Sequence, residues 1–239
     1  ALQQRYDLNQ LDYIILGHIN PNRAVTLQKL LEIAPDVTLV CSNPAAIALM
    51  SLIPEGNLSV TAIKSGDNLD LGKGHELQFI PTPNPRFPDE LCTYDPLTQI
   101  LYTDKLFGAH FCGDQVLDEG WTVYEADRRY YFDCLLAPYA RQISTALGKL
   151  ESKPAKIYAT GHGPLVKYGL HELTADYRKW LTTQTTQNLS VALVYASAYG
   201  NTATLAHAIA RAITKAGVRV ESINAEVTDP ETRESAIEQ

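Results

Sequence analysis

The 239-residue chain has no run of about 18 uninterrupted apolar residues, so nothing in it reads as a membrane-spanning helix. Its first residues lack the basic-then-apolar layout of a secretory signal. Cysteine is scarce: Cys41, Cys92, Cys112 and Cys134 are far apart and form no C-x-x-C pair, which signals neither a zinc ribbon nor a disulfide scaffold. They are expected to pack as small apolar groups in a reducing, cytoplasmic setting. Basic residues are outnumbered 20 to 27 by acidic ones, and the net charge of −7 opposes attraction to nucleic-acid phosphates. What remains is ordinary globular usage, 45% apolar and 20% charged, on a length of about one and a half domains. Thirteen tyrosines against five phenylalanines carry no function by themselves.

Short apolar runs at 12–17, 37–41, 59–63, 76–80, 100–103 and 156–159 predict strands, separated by turns such as Pro35-Asp36, Pro54-Glu55-Gly56 and Ser65-Gly66-Asp67. Helix-period stretches at about 24–34, 43–53, 127–150 and 170–183 flank them, which predicts a layered αβ domain over 1–181. The polar stretch 182–190 (TTQTTQNLS) reads as a linker. Beyond it, VALVYAS, a helix over Thr202–Ala216, Gly217 as its stop and VRVESIN form a βαβ unit within 191–239. Both ends look cut: Ala1 opens on a helical stretch without a start methionine, and Asp229-Pro230 begins a helix as the sequence stops.

The strand of that βαβ unit runs through Ser197-Ala198-Tyr199-Gly200-Asn201-Thr202 straight into a helix. Hydroxyls of Ser197 and Thr202, the Asn201 amide and backbone N–H groups would converge at a helix N-terminus, where the partial positive charge favours a phosphate. Gly200 permits close backbone approach. No lysine ends the loop and no G-x-G-x-x-G is present, so a monophosphate fits better than a nucleoside triphosphate or a dinucleotide. This S-x-Y-G-x-T loop resembles the FMN phosphate loop of flavodoxin-like domains, of which about fifty residues are present.

A second pattern lies upstream. His18-Ile19-Asn20-Pro21-Asn22-Arg23 follows a strand, and His162 stands in ATGHGP at another strand end. With the downstream loop, this order resembles the flavodiiron proteins across nearly the whole chain. That resemblance implies a metallo-β-lactamase-like αββα sandwich, lacking its N-terminal part here, followed by the first part of a flavodoxin-like doubly wound sheet. The family's first ligand cluster reads H-x-E-x-D-H, followed by a His in H-x-P, a bridging Asp and a last His in H-G-P. His18 and His162 match, whereas Asn20, Asn22, Arg23, Arg86 and Lys105 stand in the other ligand positions. The separations survive, with 63 residues from Arg23 to Arg86 and 19 from Arg86 to Lys105.

Two irons need imidazole and carboxylate ligands, including a shared carboxylate, and arginine cannot give up its proton. The expectation is a pocket without diiron and without a catalytic metal, in which Arg23, Arg86 and Lys105 form an anion site for chloride or a similar ion. Asp89 and Asp104 are the candidates for neutralising it. His75, His110, His171 and His207 have no motif support, and His110 is expected to stay out of the pocket. The family implies electron transfer from NAD(P)H, through a flavin reductase module and FMN, toward reduction of oxygen to water. It implies a head-to-tail homodimer, or a heterodimer with a ligand-complete partner. The replacements resemble a diflavin subclass of oxygenic phototrophs, soluble or peripheral to photosynthetic membranes and acting in photoprotection. A non-catalytic regulatory or scaffold subunit with an anion pocket is the alternative. A metal-dependent hydrolase is disfavoured because Asn20, Asn22 and Arg23 remove the metal-activated water.

Overall fold

The computed structural model describes residues 4–53, 58–186 and 190–230. The turn expected at 54–56, the centre of the 182–190 stretch and the helix expected over 231–239 lie outside the described residues. The chain divides into two compact units, Ala1–Thr185 and Thr186–Gln239.

In the first unit β1 (Tyr13–Ile15), β2 (Thr38–Ser42) and β3 (Ser59–Ile63) form a parallel sheet in sequence order. Parallel neighbours need crossovers, and α1 (Ala24–Ile33) and α2 (Asn43–Leu52) lie in those connections. Ser42 starts α2 by accepting from Ala45 N, with Pro44 in the first turn where its missing N–H costs nothing. The second sheet runs β4 (Asn68–Asp70), β5 (Glu76–Pro81), β6 (Leu91–Asp95), β7 (Ile100–Asp104) and β8 (Ile157–Thr160). It is antiparallel as far as β7, and β8 joins parallel.

Strand alternation sorts the core into layers. In β2, Leu39 and Cys41 pack with Ala45 and Leu49 of α2 and with Leu27 and Leu31 of α1, while Val40 joins Leu77, Phe79 and Leu91 of the other sheet. In β6, Leu91 faces that inter-sheet layer, and Cys92 and Tyr94 face α3 (Glu125–Leu135), α4 (Ala140–Leu150) and α5 (Leu170–Thr186) through Phe132, Ile143 and Tyr177. The order helix, sheet, sheet, helix is the αββα sandwich. Near one rim the inter-sheet layer leaves a cavity of about 520 Å³, onto which Leu77, Thr93 and Tyr102 open. The second unit holds β9 (Ser190–Tyr195), α6 (Asn201–Lys215) and β10 (Arg219–Asn224), with β9 and β10 parallel from Ser190–Arg219 to Tyr195–Asn224.

Four expectations need correction. The helix expected over 127–150 is two helices, because Pro138 has no N–H to continue a helix and a 3₁₀ turn, Ala137–Tyr139, takes its place. Strands β4 and β6 were not anticipated, since Asp95-Pro96 reads as a turn and hides the buried run Leu91–Asp95 beside it. Residues 182–186 are helical rather than linker, with Thr182 and Thr183 donating to the carbonyls of Arg178 and Lys179 four residues back. The start of the helical stretch expected from Ala1 lies outside the described residues, and Leu8–Gln10 is a 3₁₀ turn capped by Asp7. Of the cysteines, only Cys41 and Cys92 are buried; Cys112 and Cys134 are exposed, Cys134 on α3 next to Asp133.

Candidate functional site

The loops after β1, β5, β7 and β8 gather at one end of the sandwich, and they carry all seven residues singled out by the sequence. Leu91 N donates to Gly17 O across the two sheets at 2.8 Å, which holds the β1 loop against the start of β6. His18 Nδ1 lies 2.8 Å from Asp89 Oδ1, and Ile19 N donates to Asp89 Oδ2 at 2.7 Å. Burial pushes the Asp89 carboxyl up, but the His18 and Ile19 hydrogen bonds outweigh it and hold it below its ordinary value. A carboxylate only accepts, so Nδ1 carries the imidazole proton and Nε2 is the ring atom free for other chemistry.

Asn20 serves as a cap: its Oδ1 accepts from Asn22 N at 3.0 Å and opens the 3₁₀ turn Pro21–Arg23. Arg86 stands 5.6 Å above the Phe87 ring and Lys105 Nζ 5.9 Å from the same ring, while the His18 ring meets Phe87 edge-on at 5.0 Å. Phe87 is therefore an aromatic hub shared by two cations and a histidine. The turn that follows β7 is bent by left-handed backbone at Asp104 (φ 43°) and Phe107 (φ 62°). Lys105 Nζ pairs with Asp104 Oδ1 at 2.9 Å, and Tyr131 donates to Lys105 O at 3.1 Å. His162 is held below its ordinary value by burial first and then by the charge of Lys105, with Arg23 and His110 adding to the effect and Asp104 opposing it. Arg23 and Lys105 are thus close enough to His162 to act on it electrostatically.

Asp104 and Asp89 take the neutralising roles unequally, since Asp104 pairs with Lys105 and Asp89 with His18. Glu90 was missed. It is fully buried, and its two oxygens accept from Lys105 N at 3.2 Å and Asn84 Nδ2 at 3.0 Å. Desolvation, with Asp104 adding to it, pushes its carboxyl up to about 8 against the opposing effect of the Lys105 N–H and charge. No sequence signal marked it, because its partners are a backbone N–H and an amide. His110 is a second correction, because its ring packs against Tyr131 at 5.0 Å and Tyr130 at 5.2 Å and its charge acts on His162. His75 Nε2 lies 3.0 Å from Asp95 Oδ2, and both residues line the cavity of about 520 Å³.

The H-G-P loop is positioned by a carboxyl that the sequence also did not flag. Asp118 is fully buried and accepts from Lys167 N, Tyr168 N, Gly169 N and Arg128 Nη2, while Asp118 N donates to Leu165 O. Gly163 in that loop has φ 80°, and a Cβ there would sit 2.9 Å from Ala109 Cβ. Among the described residues no group of three or more His, Cys, Asp or Glu is placed to hold a metal ion.

In the second unit, Gly200 takes φ 82° at the start of α6. Ser197 Oγ accepts from Ala203 N at 3.0 Å, so the serine caps the helix with its oxygen and keeps its proton to donate. Ser197 N donates to Glu226 Oε2 at 3.1 Å, and Tyr199 is 93% exposed. The donors of Asn201 and Thr202 stand in the first turn of α6. This set fits a phosphate: hydroxyl and amide donors at a helix N-terminus.

Residues 1–141 match the model of the family described as ODP family beta lactamase. Diflavin flavoprotein A 6 of Nostoc sp. strain PCC 7120 is 66% identical over 238 residues, covering 100% of this chain and 42% of that protein. Diflavin flavoprotein A 3 of Synechocystis sp. strain PCC 6803 is 63% identical, covering 99% of this chain and 40% of that protein. The chain therefore spans about two fifths of the length of these relatives. The solved structure of a metal-soaked Flv1 flavodiiron core from Synechocystis sp. PCC6803 superposes with a TM-score of 0.78 at 64% identity, covering 99% of this chain and 59% of that one. No helix among the described residues is long and apolar enough to cross a membrane. On the family match and these likenesses, the chain belongs to the ODP family beta lactamases and, within them, to the flavodiiron proteins.

Proposed function

We propose that the protein containing this chain is an electron-transfer flavoprotein working toward reduction of oxygen, with no diiron centre of its own. What supports this reading is Lys105, which the resemblance matches to the bridging position, with its ammonium paired to Asp104 and its surroundings shared with Arg86 and Arg23. The residues present do not fit two irons. Two imidazoles remain, and the other positions hold neutral amides, which are weak ligands for iron, and cations, which do not ligate. No chemical step is therefore routed through iron in this chain. The same cations make the pocket an anion site, for chloride or a comparable ion, in which the uncommitted donors of Arg23 and Arg86 would hold the charge.

Ser197, Ala198, Tyr199, Gly200, Asn201 and Thr202 would hold the phosphate of FMN. The Ser197 proton, the Asn201 and Thr202 side chains and the first-turn N–H groups supply the donors. Bound FMN would supply one- and two-electron transfer to this unit. The reductant would be NAD(P)H, delivered through a flavin reductase module. A head-to-tail dimer, either of like chains or with a ligand-complete flavodiiron partner, would let that flavin serve the partner's metal site.

The test has two arms. Anaerobic iron loading followed by elemental analysis should leave far less than two irons per chain. NAD(P)H oxidation by the full-length protein should rise when a ligand-complete homologue is added. Two irons per chain, or no rise on mixing and no bound FMN, would overturn the reading.

A further inference from the structure

Among the described residues of this site, Glu90 is a buried carboxyl paired with neither a histidine nor a cationic side chain. Asp89 has His18, and Asp104 has the Lys105 ammonium. Glu90 has two neutral donors, the Lys105 backbone N–H and the Asn84 amide. The Asn84 orientation is fixed, because its Oδ1 accepts from Arg86 N and Phe87 N at 3.1 and 3.0 Å. The carboxyl is thus built into the loop that carries Arg86 and into the turn that carries Lys105. Among the described residues, the titratable groups facing it come from the elements packed there: Asp104 and Lys105 from the end of β7, Asp89 from its own loop, Tyr131 from α3, Tyr177 from α5 and Cys92 beside it on β6. Of these, Tyr131, Tyr177 and Cys92 are held protonated by burial. Three cationic side chains, Arg23, Arg86 and Lys105, share the region with the carboxyls of Asp89 and Asp104. The ionisation of Glu90 decides whether the sum is positive or zero.

We propose that this pocket takes up its anion together with one proton, and that the Glu90 carboxyl carries that proton. The inference rests on the reading of the pocket as an anion site and adds its regulation. An anion seated among Arg23, Arg86 and Lys105 disfavours a second negative charge at Glu90, so each state of Glu90 selects its state of the pocket. Around neutral pH a neutral Glu90 leaves the cations free to hold an anion. At alkaline pH the ionised carboxyl becomes the internal counter-ion and expels it. His162, held below its ordinary value, is uncharged through this range and does not contribute to the linkage.

The experiment is a chloride titration of the full chain in chloride-free buffer, followed by chloride NMR line broadening between pH 7 and 9. The expected wild-type result is an affinity nearly level below about pH 8 that then weakens toward tenfold per pH unit. E90Q is expected to bind chloride with little pH dependence across the same range. A flat wild-type profile, or the same slope in E90Q, would overturn the proton linkage while leaving the anion site standing. Saturable chloride binding missing at every pH in both proteins would overturn the anion site itself. Should E90Q fail to fold, carbon NMR of selectively labelled glutamate carboxyls in the wild type decides. The Glu90 midpoint is expected to move upward when chloride is added, and an unmoved midpoint would overturn the linkage.

Discussion

Asp104 and Lys105 are adjacent in sequence, yet their side chains pair at 2.9 Å because Asp104 takes a left-handed φ of 43° at a register shift in β7. That turn directs the Asp104 carboxyl between two glycines. A Cβ on Gly17 would sit 2.8 Å from Asp104 Oδ2, and one on Gly161 would sit 2.9 Å from Oδ1. The segments that follow β1 and β8 accommodate this carboxyl only where they have no side chain.

G17A and G161A are therefore expected to displace the Asp104–Lys105 pair and to cost about 1–3 kcal/mol each, the usual cost of overpacking. G148A is the internal contrast. Gly148 lies inside α4 with nothing within 4 Å of an added Cβ, so the change is expected to stabilise by about 0.5–1 kcal/mol. Thermal unfolding of the three variants checks the opposite signs, and a destabilised G148A would contradict the packing described here.

Glu90 makes stability depend on pH in a direction opposite to most acids. Its folded value, about 8, lies above the 4.5 of an unperturbed glutamate, so the folded state holds the extra proton between those limits. Stability is accordingly highest below about pH 4.5, as far as this group is concerned, and falls as pH rises toward 8, by on the order of a few kcal/mol. E90Q removes the slope but leaves an amide N–H facing either Asn84 Nδ2 or Lys105 N, at a cost of about 1–3 kcal/mol. Urea unfolding at pH 5, 6.5 and 8 should show the wild type more stable at pH 5 and the gap closing by pH 8. Parallel profiles would remove Glu90 from the account.

What the sequence made legible follows from what each signal measures. Strand and helix positions were readable because Leu39, Val40 and Cys41 or Leu77, Phe79 and Ile80 alternate between layers that must both be apolar. That the seven singled-out positions lie in loops was readable because each follows a predicted strand. Glu90, Asp118 and Arg128 were not readable, because a buried charge differs from a surface charge only through its partners. Those partners are distant in sequence: Asp118 meets Lys167, Tyr168 and Gly169 about fifty residues on. Single-residue reasoning treats them as solvated by default. The break at Pro138 was visible and was outweighed by the apolar periodicity on either side of it.

The Asp118–Arg128 pair gives an ordering prediction. In D118N one side-chain atom can still accept from Lys167 N and Tyr168 N, but the amide nitrogen would face Gly169 N and Arg128 Nη2, leaving a buried guanidinium without its acceptor. About 3–5 kcal/mol is expected. R128M leaves Asp118 with three backbone donors and should cost less, about 1.5–3 kcal/mol. Urea unfolding of both variants measures the order, and R128M proving the worse of the two would show that the arginine, not the carboxyl, organises the loop carrying His162.

Rebuilding the ligand set tests the pocket as a whole. The variant N20E, N22D, R23H, R86H and K105D removes three cations and adds three carboxyls beside Asp104 and the buried Glu90, so without metal it is expected to be less stable than the wild type. Divalent iron or zinc would relieve that repulsion, and thermal unfolding should rise with metal concentration in the variant and stay unchanged in the wild type. Recovery is expected to be partial, because Asn84 and the Lys105 backbone hold Glu90 in a place shaped for the cationic set. A variant that folds and shows no metal-dependent stabilisation would mean that these loops do not form a ligand site.

The phosphate loop makes the last prediction. S197A removes the oxygen that accepts from Ala203 N, which should lower the stability of the second unit by about 1 kcal/mol, and it also removes the proton available to a phosphate. T202V keeps the shape of the first turn of α6 and removes only a hydroxyl. If this loop holds FMN by its phosphate, both changes weaken binding, and T202V does so without loss of helix stability. Titration of the full-length apoprotein with FMN and, separately, with riboflavin separates phosphate contacts from ring contacts: T202V should weaken FMN several-fold and leave riboflavin unchanged. Equal losses for the two flavins would place the contact on the ring and not on the phosphate.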